Sequence, residues 1–333
     1  MREIGSEFWD VPVAEKGHVL FPKTTQWYLS GRSALQAVIG DLGEAKSVSL
    51  PAWCCDSMIK PFFDAGLEIF LYPVYFDNGL IQEVNVDSDV LLLMDYFGYS
   101  SPVPDLRSYK GAVIRDVTHT LFSTTYLDSD YFFGSLRKWC GVWTGGYAWT
   151  GDGHGLPLGN SDDFGYVSLR EKAMRLKNSF INGWGITDKK YLSVFEEAEE
   201  CLEKVGIAPA ADRDVWLAAR LNVTEIKKKR RDNAEVLRSA FPEWLIFPEL
   251  KPTDTPMFVP VLVPDGRRDA LRRYLIQNEI YCPIHWPVSS YHKLDKRTEQ
   301  IYENELSLVC DQRYTENDMD RIVKTINAFW KKA

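Results

Sequence analysis

Four apolar runs within the first 120 residues leave few folds open to this chain. They are "SVSL" (47–50), "EIFLYPV" (68–74), "DVLLLMDYFG" (89–98) and "GAVIRD" (111–116). A strand with one wet face alternates apolar and polar residues, whereas a continuous apolar run is buried on both faces, which is the reading of "DVLLLMDYFG" and "GAVIRD". "SALQAVIGDL" (33–42) and "SMIKPFFDAG" (57–66), placed before and between these runs, carry apolar residues at helical spacing. Buried strands separated by helices predict an α/β fold with a mostly parallel central sheet.

The rest of the chain predicts a second, smaller body. "VFEEAEECLEKVG" (194–206) and "WLAARLNVTEIKKKRRDNAEVLRSAF" (216–241) read as long amphipathic helical stretches that bridge to a C-terminal lobe. There "MFVPVLV" (257–263) and "LSLVCD" (306–311) read as strands, "RRDALRRYLIQN" (267–278) as a helix, and "TENDMDRIVKTINAFW" (315–330) as a closing helix with Thr315 and Asp318 as its start signal. The expected division is a large domain with an N-terminal arm over residues 1–215 and a small α/β domain over 216–333. The basic run "KKKRR" (227–231) reads as a solvated helix face.

Charge and cysteine usage narrow the function classes. Lys and Arg total 39 against 47 Asp and Glu, a net charge of −8, which argues against general nucleic-acid binding. The opening "MREIGSEFWDVPVAEKGHVLF" does not read as a signal peptide, and no apolar run is long enough for a membrane span. Six scattered cysteines without a C-x-x-C spacing speak against a zinc site or disulfide framework, so a reducing cytoplasm is the expected setting. "GDGHG" (151–155) opens no helix and so lacks the context of a dinucleotide loop, and His285 with His292 lacks a third metal ligand nearby.

Four places carry candidate chemistry. In "YLSGRSALQ", Ser30, Gly31, Arg32 and Ser33 stand where a helix begins, and a helix start offers N–H groups and a positive dipole end to an anion; a plain cap is the other reading. "LPAWCCDS" puts Trp53 and the Cys54–Cys55 pair at a strand end. "VIRDVTHTLFS" ends a buried strand on Asp116 with His119 three residues on, at the carboxyl edge where α/β sheets bind ligands. "DYFFGSLRKWCGVWTGGY" sets Lys138 among aromatic residues, seven residues before Gly145 and Gly146. Each has a structural alternative: a core Trp, a capping Asp, or a surface Lys snorkelling past aromatics.

Taken in order, these segments resemble fold-type-I pyridoxal-phosphate enzymes and, more narrowly, the DegT/StrS-type sugar aminotransferases. "GSEFW" resembles the opening of that family, "SGRSAL" its phosphate turn, "IRDVTHTLFS" its Asp-x-x-His segment, and "KWCGVWTGGYA" keeps its lysine-to-Gly-Gly spacing. "RRDNAEVL", "IYCPIHWP" and "DQRYTENDMDRI" are similar to its C-terminal lobe. The resemblance implies pyridoxal 5'-phosphate as cofactor. It implies Lys138 as the lysine that forms the Schiff base and moves the proton, helped by an apolar pocket that favours the neutral amine. It implies Asp116 against the pyridine nitrogen and His119 beside the ring. Arg32, Ser33 and Ser135 are the implied phosphate contacts, with Ser135 standing in for a family serine replaced here by Phe133. The ring-stacking place falls on Trp53 or, in an ungapped reading, on Cys55. A homodimer follows by the same resemblance, as do an amino-acid donor such as glutamate and a nucleotide-linked keto-sugar acceptor. Arg313 reads either as a carboxylate clamp or as a structural salt bridge. A non-catalytic cofactor-binding homologue and a sugar dehydratase are the alternatives, although the latter class has histidine where Lys138 stands.

Overall fold

The structure is a computed structural model that describes residues 3–84, 87–100, 102, 104–123 and 129–331. It is α/β with a mostly parallel sheet at its centre, as expected. The chain divides into two compact units that each draw on separated segments.

The first unit comprises Met1–Ser6, Glu44–Leu127 and Thr224–Ala333. Its strands Glu68–Tyr72, Ser47–Pro51, Val90–Met94 and Ala112–Asp116 pair in parallel in that order, with Val48 opposite both Ile69 and Val90, and Val90 opposite Ala112. Val90–Met94 is buried along its whole length, the outcome its unbroken apolar run dictates. Glu68–Tyr72 leaves every second residue exposed instead, as a strand with only one covered face does. Helix Asp56–Asp64 links the first two parallel strands and carries Pro61 inside it, buried.

The C-terminal part of this unit is a second α/β layer. Strands Val259–Leu262 and Glu305–Leu308 pair antiparallel, and helices Arg268–Gln277 and Glu316–Lys331 pack with them over Val261, Leu271, Leu308 and Ile322. Thr315 donates its N–H and hydroxyl to Asp318 Oδ2, both at 2.9 Å, which starts the last helix as its sequence predicts. Arg313 forms a buried two-point ion pair with Asp311 at 2.8 Å, the structural of its two readings.

The second unit comprises Glu7–Gly43 and Asp128–Val223. Strands Gln26–Tyr28, Gly146–Thr150 and Tyr131–Ser135 form an antiparallel ribbon. Helix Gly31–Asp41 and helices Tyr166–Asn182 and Tyr191–Leu202 accompany it, with Tyr166, Ala173, Phe195 and Ala198 in the core.

Two expectations need correction. The stretch 216–241 is not one helical span but two helices, Asp212–Ala218 and Val223–Ala240. Between them the backbone leaves the helix to pair with the N-terminal segment, where Ala14 N–H donates to Arg220 O and Leu221 bridges Val13. The basic run is not uniformly solvated either. Lys228 and Lys229 pair along the helix with Asp232 and Glu225, but Arg230 is 1% exposed and donates to Gln312 Oε1 and the Met257 carbonyl. The residue expected to end the large domain, Val215, lies inside helix Asp212–Ala218. Among the described residues no helix is long and apolar enough to cross a membrane.

Candidate functional site

The sequence-predicted residues fall into two groups, one in each unit. In the second unit, Ser30 caps helix Gly31–Asp41 by accepting the Ser33 N–H at 3.1 Å. Ser33 donates its hydroxyl to the Gly206 carbonyl at 2.7 Å, so its side chain is engaged within the protein rather than turned to an anion. Arg32 differs: among the described residues its buried Nε has no hydrogen-bond partner. A buried N–H without an acceptor is costly, so a guanidinium in that state at a helix start suits an anionic partner.

Glycine shapes this place. A Cβ on Gly31 would stand 3.1 Å from Ser135 Cβ, and one on Gly146 would stand 1.9 Å from Ser30 O. Only glycine at 146 lets strand Gly146–Thr150 pass this close to the helix start, and glycine at 31 spares a tight contact with Ser135. Ser135, half-buried, therefore lies beside the first turn that carries Arg32. A phosphate group fits this cradle on the buried Arg32 Nε and the glycine-lined approach; Phe133, 4% exposed, is core and offers nothing to it.

Lys138 ends a short turn, Leu136–Lys138, after that strand. The turn is held by Leu136 N–H to Gly145 O at 2.7 Å and Trp139 N–H to Leu136 O at 2.9 Å. Leu136, Trp139 and Cys140 are fully buried, but Lys138 itself is exposed. The expected apolar pocket around its amine is thus corrected: the neighbouring aromatics build the turn from below, and the lysine points away from them. Nearby, Glu7 bonds Arg170 at 2.9 Å. Burial pushes the Glu7 carboxyl up, but Arg170 and Arg137, with a smaller share from Lys138, outweigh it and hold the group down at about 2.

The other group lies in the first unit. Asp116 closes its parallel strand, is 5% exposed and accepts the Thr118 N–H at 2.8 Å through Oδ1. His119 sits in the following turn, Thr118–Thr120, and is 4% exposed. Its Nδ1 accepts the Phe97 N–H at 3.3 Å, which leaves the proton of a neutral ring on Nε2. The turn is anchored by Thr120 to Asp95 at 3.2 Å and by the buried Arg115–Asp95 pair at 2.8 Å.

Trp53 is fully buried, stacked on Tyr96 at 4.9 Å, with its indole N–H given to the His285 carbonyl. It serves the core in this structure. Cys55 is half-buried at the start of helix Asp56–Asp64, its Sγ 3.0 Å from Ser57 Oγ. Burial pushes the neighbouring Cys54 thiol well up, with Cys55 adding to the effect, so Cys54 is held as an inert thiol.

Sequence reasoning missed two aromatic residues here. Phe97 lies 4.9 Å from the His119 ring, and Trp286 stacks on His119 at 5.9 Å with planes 18° apart. Phe97 adopts φ +52°, a left-handed backbone that a bulky residue takes up only under constraint. The constraint is its neighbour Gly98, where a Cβ would stand 1.9 Å from the Thr255 carbonyl oxygen. An aromatic residue before glycine at a strand's carboxyl end was the available signal; nothing local marked Trp286.

The "GDGHG" turn has a use other than nucleotide binding. His154 is gripped by Asp41 Oδ2 at 2.7 Å and Asp152 Oδ1 at 2.6 Å, tying the turn to the end of helix Gly31–Asp41. Its pKa is raised, first by Asp41 and then by Asp152. A raised folded-state value means that the stabilisation is complete below the unfolded value of about 6.5 and is lost as pH rises through the higher folded value. Melting temperature should therefore fall from neutral toward alkaline pH, and His154→Gln should flatten that slope in a thermal scan series; an unchanged slope would contradict the grip.

No protein-family model matches the sequence, and no curated protein matches it. Solved structures do. A DegT DnrJ EryC1 StrS aminotransferase from Brucella abortus is similar at TM-score 0.62 and 15% identity, over 92% of this chain and 85% of that one. PseC of Helicobacter pylori, an aminotransferase involved in pseudoaminic acid biosynthesis, is similar at TM-score 0.63 and 14% identity, over 98% and 100%. NtdA of Bacillus subtilis with bound cofactor PMP is similar at TM-score 0.61 and 14% identity, over 92% and 73%. At these identities the likeness establishes the fold: this chain has the architecture of the sugar aminotransferases along nearly its whole length.

Proposed function

We propose that the protein is a pyridoxal-phosphate-dependent aminotransferase that passes an amino group from an amino acid, glutamate foremost, to a keto acceptor of the nucleotide-linked sugar class. The observation that carries this reading is Asp116, a buried carboxylate at the carboxyl end of a parallel strand with His119 in the next turn. It stands in a chain with the fold of cofactor-bound aminotransferases.

When bound, the cofactor supplies the electron-withdrawing ring that the amino-group exchange needs. Asp116 would then hold a proton on the ring nitrogen, and His119 would orient the ring through Nε2. Arg32 would receive the phosphate, with Ser135 at its side. Lys138 would hold the cofactor through Nζ and, once released from it, would carry the proton between the donor's α-carbon and the cofactor. Its exposure in this structure suits an amine that must be reached by substrates. We further propose a two-fold homodimer working in a reducing cytoplasm, where six scattered cysteines without a C-x-x-C spacing would stay reduced.

A non-catalytic cofactor-binding homologue is the second reading. The engagement of the Ser33 hydroxyl by Gly206 and the core Phe133 favour it, because both remove phosphate contacts. Titration of the purified protein with pyridoxal 5'-phosphate, followed by glutamate, separates the readings. A visible absorbance band that bleaches on glutamate supports transfer. A band that glutamate leaves unchanged, across a panel of amino acids, supports the second reading, and no band at all overturns both.

A further inference from the structure

We infer that Asp214 is the residue that positions Lys138, acting through Thr144 and Gly145 from a helix that lies much later in the chain. The use made of that position rests on the amino-transfer reading; the linkage itself does not. All four residues belong to the second unit.

The turn Leu136–Lys138 is too short to fix its own direction. Its backbone is steered from outside, where Leu136 N–H donates to Gly145 O at 2.7 Å. Gly145 has φ +125°, a conformation left to glycine, and it has no side chain with which to lock itself. The lock lies one residue back. Thr144 is fully buried, and its N–H and its hydroxyl both donate to Asp214 Oδ2, each at 2.8 Å. The same hydroxyl accepts the Ala211 N–H at 3.2 Å, which ties the loop to the start of helix Asp212–Ala218.

Asp214 is 1% exposed, and a carboxylate so buried must be occupied by donors. Its Oδ1 pairs with Arg213 at 2.6 Å, and its Oδ2 takes the two Thr144 bonds. An acid in the first turn of a helix ordinarily serves that helix's own N–H groups; this one is directed at the loop before Gly145. Hydrogen bonds to an ionised acceptor are short and strong, so the Thr144 peptide is held stiffly. Neighbouring contacts do not duplicate this. Tyr166 donates to the Trp143 carbonyl at 3.0 Å, and Arg213 stands 4.0 Å over the Trp143 ring, both one residue earlier. Freeing the Thr144 peptide lets the Gly145 carbonyl swing, and the Leu136 N–H follows it. Leu136 is buried and Lys138 exposed, so the buried end is the pivot and the amine moves most.

The test reads Lys138 in the full-length protein, at temperatures well below each variant's melting point. Without cofactor, competitive labelling with acetic anhydride and peptide mapping gives the reactivity of Lys138 relative to Lys172, an exposed lysine of helix Tyr166–Asn182. With pyridoxal 5'-phosphate, the readouts are borohydride trapping on Lys138 and single-turnover reaction with glutamate. Asp214→Ala should change the relative labelling of Lys138 by about threefold or more. It should slow the single turnover by about tenfold to a hundredfold, the penalty of a misplacement on the order of 1 Å. The half-saturating glutamate concentration should move far less. Thr144→Val should act in the same direction, whereas Thr144→Ser and Asp214→Asn, which keep the hydroxyl and an acceptor oxygen, should recover most of the loss. A merely structural carboxylate would lower the melting temperature and leave Lys138 labelling unmoved. That result, or Thr144→Ser as impaired as Thr144→Val, would overturn the proposal; if Asp214→Ala does not fold, Thr144→Val decides in its place. Wild-type protein that traps no cofactor on Lys138 refutes the amino-transfer reading, and the labelling arm still decides the linkage.

Discussion

Asp116→Asn should slow single-turnover conversion with saturating glutamate by about a hundredfold or more, a loss of a few kcal/mol of transition-state stabilisation. Cofactor affinity should change far less. The asymmetry has a physical origin: the carboxylate's attraction for a protonated ring nitrogen grows as negative charge moves into the ring. Asparagine keeps the shape, and the Thr118 N–H still finds an oxygen at its place, so the strand end survives the change. Asp116→Glu should recover part of the rate. Asp105→Asn is the control, because Asp105 is an exposed partner of Arg107 and nothing more. A rate for Asp116→Asn equal to wild type would reduce Asp116 to a cap on the turn that follows it.

Borohydride reduction of the loaded protein should fix the cofactor on Lys138 and on no other lysine, as read by peptide mapping. Lys138→Ala should retain cofactor affinity from the phosphate and ring contacts, yet lose turnover by several orders of magnitude, since no other amine in the turn can carry the proton. Lys177 is the instructive comparison. It is fully buried, 5.2 Å from the Trp9 ring and 5.5 Å from the Tyr191 ring, which is a structural use of lysine. An adduct on Lys177 or elsewhere would refute the assignment.

These expectations show where the sequence was informative. The strands at 90 and 111 declared themselves because burial on both faces forces a continuous apolar run, which few other environments tolerate. Asp116 and His119 were legible for a related reason: polar residues that interrupt such a run at its carboxyl end have a fixed place in an α/β sheet. Side-chain direction was not legible. Lys138 looked enclosed because its sequence neighbours are aromatic, but in a tight turn neighbours point apart, and it is Leu136, Trp139 and Cys140 that go inward. Trp53 looked like a stacking surface, yet a large ring at a strand end can equally fill the core, and Tyr96 and His285, both far away in sequence, decided the matter. Arg230 and Arg272 show the same limit. One arginine of a basic run is buried on backbone carbonyls and another, forty residues on, faces a cavity; only tertiary contacts tell them apart.

The discontinuous make-up of the first unit sets an order for its synthesis. Residues 44–127 leave the ribosome well before the segment that begins at Thr224, yet both belong to one compact body. At translation speeds of about 5–20 residues per second, Phe97 and Gly98 wait on the order of ten seconds for Thr255 and Met257, whose N–H groups donate to their carbonyls, to arrive. The second unit has all its residues once Val223 is made, so it can settle first. During the interval the nascent chain displays apolar strands without their C-terminal companions, a condition that invites holding chaperones. Slowing translation just after Val223 would lengthen that exposure, whereas a slow patch before residue 44 would leave it unchanged.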